Sequence, residues 1–177
     1  MLEAVKDFFR KRCLAKLSSD VPTGIMPLRD IRTAVTFIDV EDTSFDKCKM
    51  SIQAFYRENG IKGEVFFFDF RKLDSEERLI TSITNTVLRR DLNWFGKPSE
   101  EKLELLKSYS PDLFISLIRS TGFPLECMAK FSGAKFKIGR VQLPGDTFDM
   151  VISDSSDNIL SEDEIFSGVK TYLSKIG

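Results

Sequence analysis

Residues 110–141 read SPDLFISLIRSTGFPLECMAKFSGAKFKIGRV, and this stretch decides the fold. It predicts four consecutive elements: a strand over Asp112–Leu117, a loop over Ile118–Phe123, a helix over Pro124–Ser132 and a strand over Lys135–Val141. The first strand is an almost unbroken apolar run, which is typical of a strand covered on both faces. Pro124 suits a first helical turn, and Gly133 suits a helix end. The stretch therefore predicts a β-α-β unit with parallel strands and a right-handed crossover.

The same alternation of strands and helices extends to both sides of this unit. Thr33–Val40 and Gly63–Phe70 are β-branched and aromatic runs that predict two more strands, and the helix between them ends at Asn59-Gly60. The other predicted elements are a helix over 2–17, a connector over 18–30, a helix over 99–109, a strand over Phe148–Ser153 and a C-terminal helix from Ser161. We therefore predict an α/β fold: a three-layer α/β/α sandwich with a Rossmann-like, mainly parallel sheet of about five or six strands. Residues 31–177 form this single domain, and residues 1–30 form an N-terminal helix and connector.

The segment between residues 71 and 93 has two interpretations. Asp74-Ser75-Glu76-Glu77 is a helix-start signal, and apolar residues at helical spacing follow it. Thr84-Asn85-Thr86 then interrupts that spacing. Either one helix continues to Arg90, or Thr86–Leu92 forms a third strand. The alternating architecture favours the strand.

Composition excludes several classes of function. The chain is 42% hydrophobic and 30% charged with a net charge of −1, so no overall field recruits nucleic acid or an anionic membrane. No histidine is present, which removes the commonest general acid or base and nearly every catalytic zinc arrangement. Neither GxGxxG nor GxxxxGK[ST] occurs, so the strongest signatures of nucleotide phosphate binding are missing. We expect no metal, no cofactor and no nucleic-acid partner.

The cysteines and the N-terminus indicate the compartment. Cys13, Cys48 and Cys127 are far apart and fall on apolar faces of predicted helices, so we expect buried free thiols and a reducing environment. No secretory leader is visible at the N-terminus. No apolar run approaches the roughly 20 residues that span a bilayer. These features predict a cytoplasmic protein.

The first predicted helix is amphipathic. Its apolar side is predicted to hold Leu2, Val5, Phe8, Phe9, Cys13 and Leu17, and its other side Lys6, Arg10, Lys11, Arg12 and Lys16. A basic amphipathic helix suits a membrane surface or a partner protein. We expect instead that it docks on the domain with its charges in water. Peripheral membrane contact through residues 2–17 is the alternative.

Polar residues follow the predicted strands at the edge where open parallel sheets bind their ligands. They are Asp39, Glu41, Asp42 and Thr43 after the first strand, Asp69 and Arg71 after the second, Asp91, Asn93 and Trp94 after the third, and Arg119, Ser120 and Thr121 after the fourth. Arg119, beside two hydroxyls and ahead of a helix, is the candidate for binding an anion. Asp39 or Asp42 is the candidate general base. The predicted ligand-binding set is Asp39, Asp42, Thr43, Trp94, Arg119, Ser120 and Thr121, and no catalytic residue is assigned.

Three further motifs have both a structural and a functional interpretation. Trp94-Phe95 is either an exposed patch that stacks on a sugar or contacts a protein, or a plug folded into the core. Gly60-Ile61-Lys62-Gly63 has the spacing of an RNA-clamping loop, but a helix cap and turn fit it better. Residues 135–140 alternate basic with apolar side chains, which suits single-stranded nucleic acid or an edge strand protected by charge, and we favour the edge strand.

Residues 112–140 resemble a segment in the N-terminal half of heptosyltransferase-type glycosyltransferases of the GT-B architecture. The likeness rests on D-L-x-I-x-L, here Asp112–Leu117, and on A-K-x-x-I-G, here Ala134–Gly139. It implies a Rossmann-like fold and an enzyme that acts on a nucleotide-linked or phosphorylated sugar. That family binds its donor mainly in a second domain, and residues 41–44 lack its Gly-Asp turn, so no catalytic residue is transferred. As a whole, the chain resembles a small family of uncharacterised proteins from Bacteroidota.

Two functions of different classes follow from these observations. We expect a non-catalytic Rossmann-like module that binds a small molecule or a protein partner through the strand-end surface or the Trp94 loop. The alternative is a small enzyme, or a remnant of one, that acts on a nucleotide-linked or phosphorylated sugar. An enzyme would need strand-end loops that enclose a cleft shared by Arg119 and an aspartate.

Overall fold

The computed structural model describes residues 1–17, 21–72 and 82–177. Within these ranges the helices are α1 (Leu2–Leu17), α2 (Phe45–Glu58), α3 (Glu100–Ser108), α4 (Phe123–Phe131) and α5 (Glu162–Lys175). The strands are β1 (Thr33–Asp39), β2 (Lys62–Asp69), β3 (Thr86–Leu88), β4 (Leu113–Ser116), β5 (Phe136–Gly139) and β6 (Met150–Val151). Short 3-10 helices lie at Leu28–Asp30 and Arg89–Asp91.

The strands form one six-stranded sheet in the order β3-β2-β1-β4-β5-β6, and every neighbouring pair is parallel. The predicted α/β fold with a parallel, Rossmann-like sheet is therefore confirmed. The chain leaves β1 toward one edge through β2 and β3, and then returns to build the other edge from β4 onward. The strand order thus reverses between β1 and β4, which is where sheets of this kind leave a crevice at the carboxyl ends of their strands.

Apolar side chains cover both faces of the sheet. Ala34 and Ile38 of β1 face a cluster that includes buried residues of α2 and α5. Val35 and Phe37 face a second cluster, formed with α3, α4 and the end of α1. Because neighbouring residues of a strand point to opposite faces, a strand buried on both sides is apolar at most positions. The buried Thr36 of β1 is satisfied by a hydrogen bond with the Tyr56 hydroxyl.

The central β-α-β unit forms where the sequence predicts it. The predicted strands and helix become β4, α4 and β5, each within two residues of its expected bounds. Gly133 follows α4 with φ at 64°, a conformation that glycine adopts without strain. The local sequence signals are strong here, because Pro124 and Gly133 mark the ends of a helix between two apolar runs that form strands.

The strand interpretation of the ambiguous segment is confirmed only in part. β3 spans Thr86–Leu88, and a 3-10 helix at Arg89–Asp91 replaces the rest of the predicted strand. The carboxylate of Asp91 turns the chain there, because it accepts a hydrogen bond from the Leu88 amide at 2.8 Å. The predicted helix start at residues 74–77 lies outside the described residues. The last predicted strand is also shorter than expected, since β6 contains only Met150–Val151.

The expectation that residues 135–140 form an edge strand is wrong. β5 pairs with β4 on one side and with β6 on the other, so it lies inside the sheet. Lys137 is 6% exposed and Arg140 is 1% exposed, which also removes the basic stripe that nucleic acid would need. The Arg140 guanidinium donates to Oδ2 and Oδ1 of Asp154 at 3.1 and 2.7 Å. It also donates to the backbone carbonyls of Leu117 and Leu160. A paired, hydrogen-bonded arginine can be buried in this way.

The first helix does not bury the apolar side predicted for it. Leu17 is buried and Leu14 is partly covered by the second apolar cluster, whereas Leu2 and Phe8 are more than half exposed. The docked face instead contains Arg10, whose guanidinium donates to the carbonyl of Phe95 at 2.9 Å. Within the described ranges no helix is long and apolar enough to cross a membrane.

All three cysteines are free thiols, as predicted. Cys48 and Cys127 are fully buried, and burial raises the pKa of both. Cys13, on α1, is only partly buried. The prediction of burial therefore holds for two of the three.

Asp112 ties the amino ends of three strands together at the edge opposite the crevice. Its carboxylate accepts hydrogen bonds from the amides of Arg32 and Thr33 at 2.9 and 3.1 Å, and from the Lys135 ammonium at 2.7 Å. These residues lie at the starts of β1, β4 and β5. Burial opposes its charge, but the hydrogen bonds from Lys135 and from the two amides hold the pKa of Asp112 below its usual value.

We expect Asp112→Asn to lower the free energy of unfolding by about 2 kcal/mol near neutral pH, because charge-assisted hydrogen bonds are lost. Because the pKa of Asp112 is lower in the folded protein than in the unfolded chain, its contribution to stability is fully present above the unfolded-state pKa. That contribution is lost as pH falls through the folded-state pKa. The difference between wild type and variant, measured by urea denaturation, should therefore shrink toward about pH 3. Asp146→Asn, at an exposed turn, is the matched control. Equal losses in both variants would contradict this role.

Candidate functional site

A cleft of about 760 Å³ lies at the carboxyl edge of the sheet, at the reversal of strand order between β1 and β4. The β1–α2 loop forms one wall, the loop after β4 forms another, and the amino end of α5 closes a third side. Parallel strands place all their carboxyl ends at one edge, so loops distant in sequence meet there. The volume is that of an ordinary small-molecule site.

Most of the predicted ligand-binding residues line this cleft. They are Asp39, Asp42, Thr43, Arg119 and Ser120. An arginine and two aspartates therefore share one cleft. Thr121 is exposed in the same loop as Arg119 but does not line the cleft.

Trp94 belongs to a different surface. Its ring contacts Phe9 of α1 at 5.2 Å and Phe95 at 5.3 Å between centroids. Trp94 is 54% exposed, as expected of a surface patch. Phe95 packs against a buried cluster, as expected of a residue folded into the core.

The amino end of α5 is bonded to the β1–α2 loop in both directions. The Asp39 amide donates to Glu162 Oε1 at 2.7 Å, and the Glu162 amide donates to Asp42 Oδ2 at 3.3 Å. The Asp163 amide donates to Ser44 Oγ at 3.2 Å. Helix starts leave amide groups without intrahelical partners, and these side chains satisfy them. Ser44 thus serves α5 and makes no side-chain cap on its own helix, α2.

Glu162 is a buried carboxyl group at the floor of the cleft. Its residue is 2% exposed, and its Oε2 atom has no hydrogen-bond partner in the part of the chain that the structure describes. Burial raises the pKa of Glu162 to about 9, and the carboxylates of Asp42 and Asp39 add to the rise. The group is therefore protonated at neutral pH. A neutral carboxylic acid has one O–H to donate.

The two aspartates of the cleft differ in how far their oxygens are engaged. Asp42 Oδ1 accepts hydrogen bonds from the Ser44 amide at 2.8 Å and hydroxyl at 2.6 Å, and Oδ2 accepts from α5. Asp39 Oδ1 accepts from the Glu41 amide at 2.9 Å. Burial raises the pKa of Asp39, and the charges of Glu41 and Asp42 act in the same direction. Asp42 therefore shapes the loop, and Asp39 is the better placed of the two to meet a ligand.

Carboxyl groups outnumber cations around the cleft. Glu41 and Glu164 line it in addition to the buried and half-buried acids. Of the two cations among the described lining residues, Arg140 is held by Asp154 and Arg119 is exposed. Within the described ranges, no three or more acidic, cysteine or histidine side chains group to hold a metal ion. Such a surface repels phosphate and accepts hydrogen bonds from hydroxyl and ammonium groups.

Sequence reasoning missed Glu162 and Arg140. Glu162 reads as an ordinary acidic residue in the first turn of a helix, and Arg140 reads as the end of a basic edge strand. Glu162 reaches β1 across 123 residues of chain, and Arg140 reaches Asp154 through the loop after β5. The only local signal was the capping box of Ser161 and Glu164, which places the start of α5 correctly.

A family model matches residues 6–176, which include every lining residue of the cleft and α1 from Lys6 onward. The chain belongs to DUF6913, a family of unknown function. The prediction of an uncharacterised family is confirmed at that level. No curated protein and no solved structure matches this DUF6913 chain.

We expect Glu162→Gln to flatten the pH dependence of stability. The folded-state pKa is about 9 and the ordinary value is 4.5, so the folded protein keeps a proton that the unfolded chain releases between these values. The free energy of unfolding of the wild type therefore falls as pH rises. Glutamine keeps an acceptor and a donor without titrating, so the variant should be the more stable near pH 8, by about 2 kcal/mol or more.

The measurement is urea denaturation at about pH 6, 7 and 8. Glu104→Gln, which removes an exposed carboxylate on α3, is the control and should follow the wild type. If the free energy of unfolding changed with pH by the same amount in the wild type and in Glu162→Gln, Glu162 would not be a buried neutral acid.

Proposed function

We propose that this protein is a Rossmann-like module that binds a small hydroxyl-bearing molecule in the strand-end cleft and does not transform it. The observation that carries the proposal is the buried Glu162, which borders the cleft and has one carboxyl oxygen, Oε2, without a hydrogen-bond partner in the described part of the chain. An unsatisfied buried polar group is costly, and a ligand hydroxyl would satisfy it.

The chemistry of the walls supports a neutral, hydroxyl-rich ligand. Asp39 and Glu41 offer carboxylate acceptors, and neighbouring hydroxyls of a sugar or nucleoside can donate to them in pairs. The protonated Glu162 offers a donor on the same side. Arg119 and Ser120 supply further donors from the loop after β4. The carboxylate surplus disfavours phosphate groups on the ligand.

Binding without catalysis fits the way in which the candidate general bases of the cleft are engaged. Asp39 Oδ1 accepts a hydrogen bond from the Glu41 amide. Asp42, the other candidate base, has both oxygens engaged in the loop and in α5. These groups are arranged to recognise a ligand.

An enzyme, or a remnant of one, that acts on a nucleotide-linked or phosphorylated sugar is the second candidate. Arg119 and Ser120 favour it, because they line the cleft just ahead of α4 and a helix start attracts anions. The resemblance of residues 112–140 to heptosyltransferase-type enzymes, the bacterial source and the cytoplasmic location stay predictions. The protein-partner form of the binding module stays a prediction as well.

The two candidates are separated by thermal denaturation with matched ligands. Glucose and adenosine are compared with glucose 6-phosphate and ADP at millimolar concentration, since a ligand that binds only the folded state raises the melting temperature. We expect an uncharged member to stabilise the protein and its phosphorylated partner to do so less. Asp39→Asn should weaken that binding about tenfold through the loss of a charged acceptor, and Glu104→Gln should not.

The opposite ranking would replace the first candidate with the second. Stabilisation by ADP or glucose 6-phosphate alone, abolished by Arg119→Gln, is the result expected of a phosphate-binding site. No shift with any of the four compounds would contradict both candidates.

A further inference from the structure

A patch of exposed apolar side chains covers the outer side of α1 and the loop before α3. Its members are each 40% or more exposed: Met1, Leu2, Val5, Phe8, Phe9 and Trp94. We call this surface the α1 patch. The other exposed apolar residues of the described chain come from separate elements, as is ordinary for a soluble surface. A contiguous cluster of this kind marks an interaction site.

Aromatic packing holds the α1 patch in place. The Phe9 ring lies 5.7 Å from Phe8 and 5.2 Å from Trp94, both edge-to-face, and 6.0 Å from Phe95. Arg10 fastens the helix underneath, with its guanidinium 5.4 Å from the centre of the Phe123 ring. The patch is therefore a preformed surface that pays little ordering entropy on binding.

The cations of α1 extend the patch along the same face. Val5, Phe8, Arg12 and Lys16 follow at intervals of three or four residues and so share one side of the helix. Arg12, Lys16 and the neighbouring Lys11 are exposed. The outward face is apolar in its first two turns and positively charged in its last two.

The acids of α1 do not offset these charges. Glu3 pairs with Lys6 at 2.8 Å, and Asp7 pairs with Arg10 at 3.3 Å, and both cations lie toward the docked side. Arg12 and Lys16 have no acidic residue three or four positions away within α1, whereas Lys11 has Asp7 four positions before it. The net charge of −1 for the whole chain therefore hides a local positive surface.

We propose that the α1 patch binds the surface of an anionic lipid bilayer. The apolar and aromatic side chains would enter the boundary between headgroups and acyl chains, where Phe buries apolar area and the amphipathic Trp ring is favoured. Lys11, Arg12 and Lys16 would meet lipid phosphates, each adding attraction that salt screens. A second copy of this chain is a less complementary occupant, because a two-fold contact pairs the same surface from both copies and this surface carries cations.

This surface is separate from the strand-end cleft, so its test does not depend on the ligand bound there. Trp94 is the only tryptophan of the chain and lies within the patch, which makes its emission a direct reporter. Vesicles of phosphatidylglycerol and phosphatidylcholine in equal parts should shift this emission to shorter wavelength and co-sediment with the protein. Vesicles of phosphatidylcholine alone should do neither to a comparable extent.

Two variants and a matched control identify the surface. Phe8→Glu removes an inserted side chain and Arg12→Glu reverses a charge, and each should weaken partitioning by about tenfold or more. Met50→Glu places the same acid at an exposed apolar position of α2 and should bind as the wild type does. All three positions are exposed, so the melting temperature should change little.

Absence of an emission shift with the anionic vesicles would overturn the proposal, as would equal binding by wild type and Phe8→Glu. Sedimentation velocity supplies the competing outcome. A wild-type dimer that Phe8→Glu dissociates, without binding to vesicles, would assign the patch to a protein interface and likewise overturn the proposal.

Discussion

Hydrogen bonds between the end of the first strand and the start of the last helix hold the candidate site together. Asp39 donates through its amide to Glu162, and Glu162 donates through its amide to Asp42. The Glu162 side chain thus satisfies the Asp39 amide, and the Asp42 side chain satisfies the Glu162 amide. Without these bonds both amides would lack a partner. This exchange places α5 across the crevice between β1 and β4. It also draws the Glu162 carboxyl group out of water, which is what raises its pKa.

The loops around this crevice differ from those of parallel sheets that bind phosphate. Where such folds place a glycine-rich turn against a helix, this chain places the acidic loop of residues 41–44 after β1. The amides at the start of α5 are used by Asp42 and Ser44, so they are not directed at a bound anion. Among the described lining residues, acids surround the exposed Arg119, and such a surface selects ligands by hydrogen-bond donors more than by negative charge.

One predicted site residue belongs to another surface. β3 lies at the far edge of the sheet, separated from the crevice by β2 and β1, and Phe95 in the loop that follows it packs against Phe123 at the start of α4. There Trp94 meets Phe9 of α1, which is fixed by the bond from Arg10 to the Phe95 carbonyl. The chain thus carries two surfaces of opposite character, an acidic cleft and a basic aromatic patch, on different elements.

Residue patterns were sufficient for the layers, for most strand positions and for the edge at which polar side chains gather. These features are local, because apolar runs, caps and glycines act within a few residues and parallel strands necessarily share their carboxyl edge. Three outcomes needed the folded chain. They are the burial of Lys137 in β5 and of Arg140 directly after it once β6 pairs with that strand, the docking of α1 through a face that contains Arg10, and the contact of Glu162 with the Asp39 amide. Each depends on contacts between residues remote in sequence, and the free energy of such contacts outweighs the preferences that a short stretch expresses.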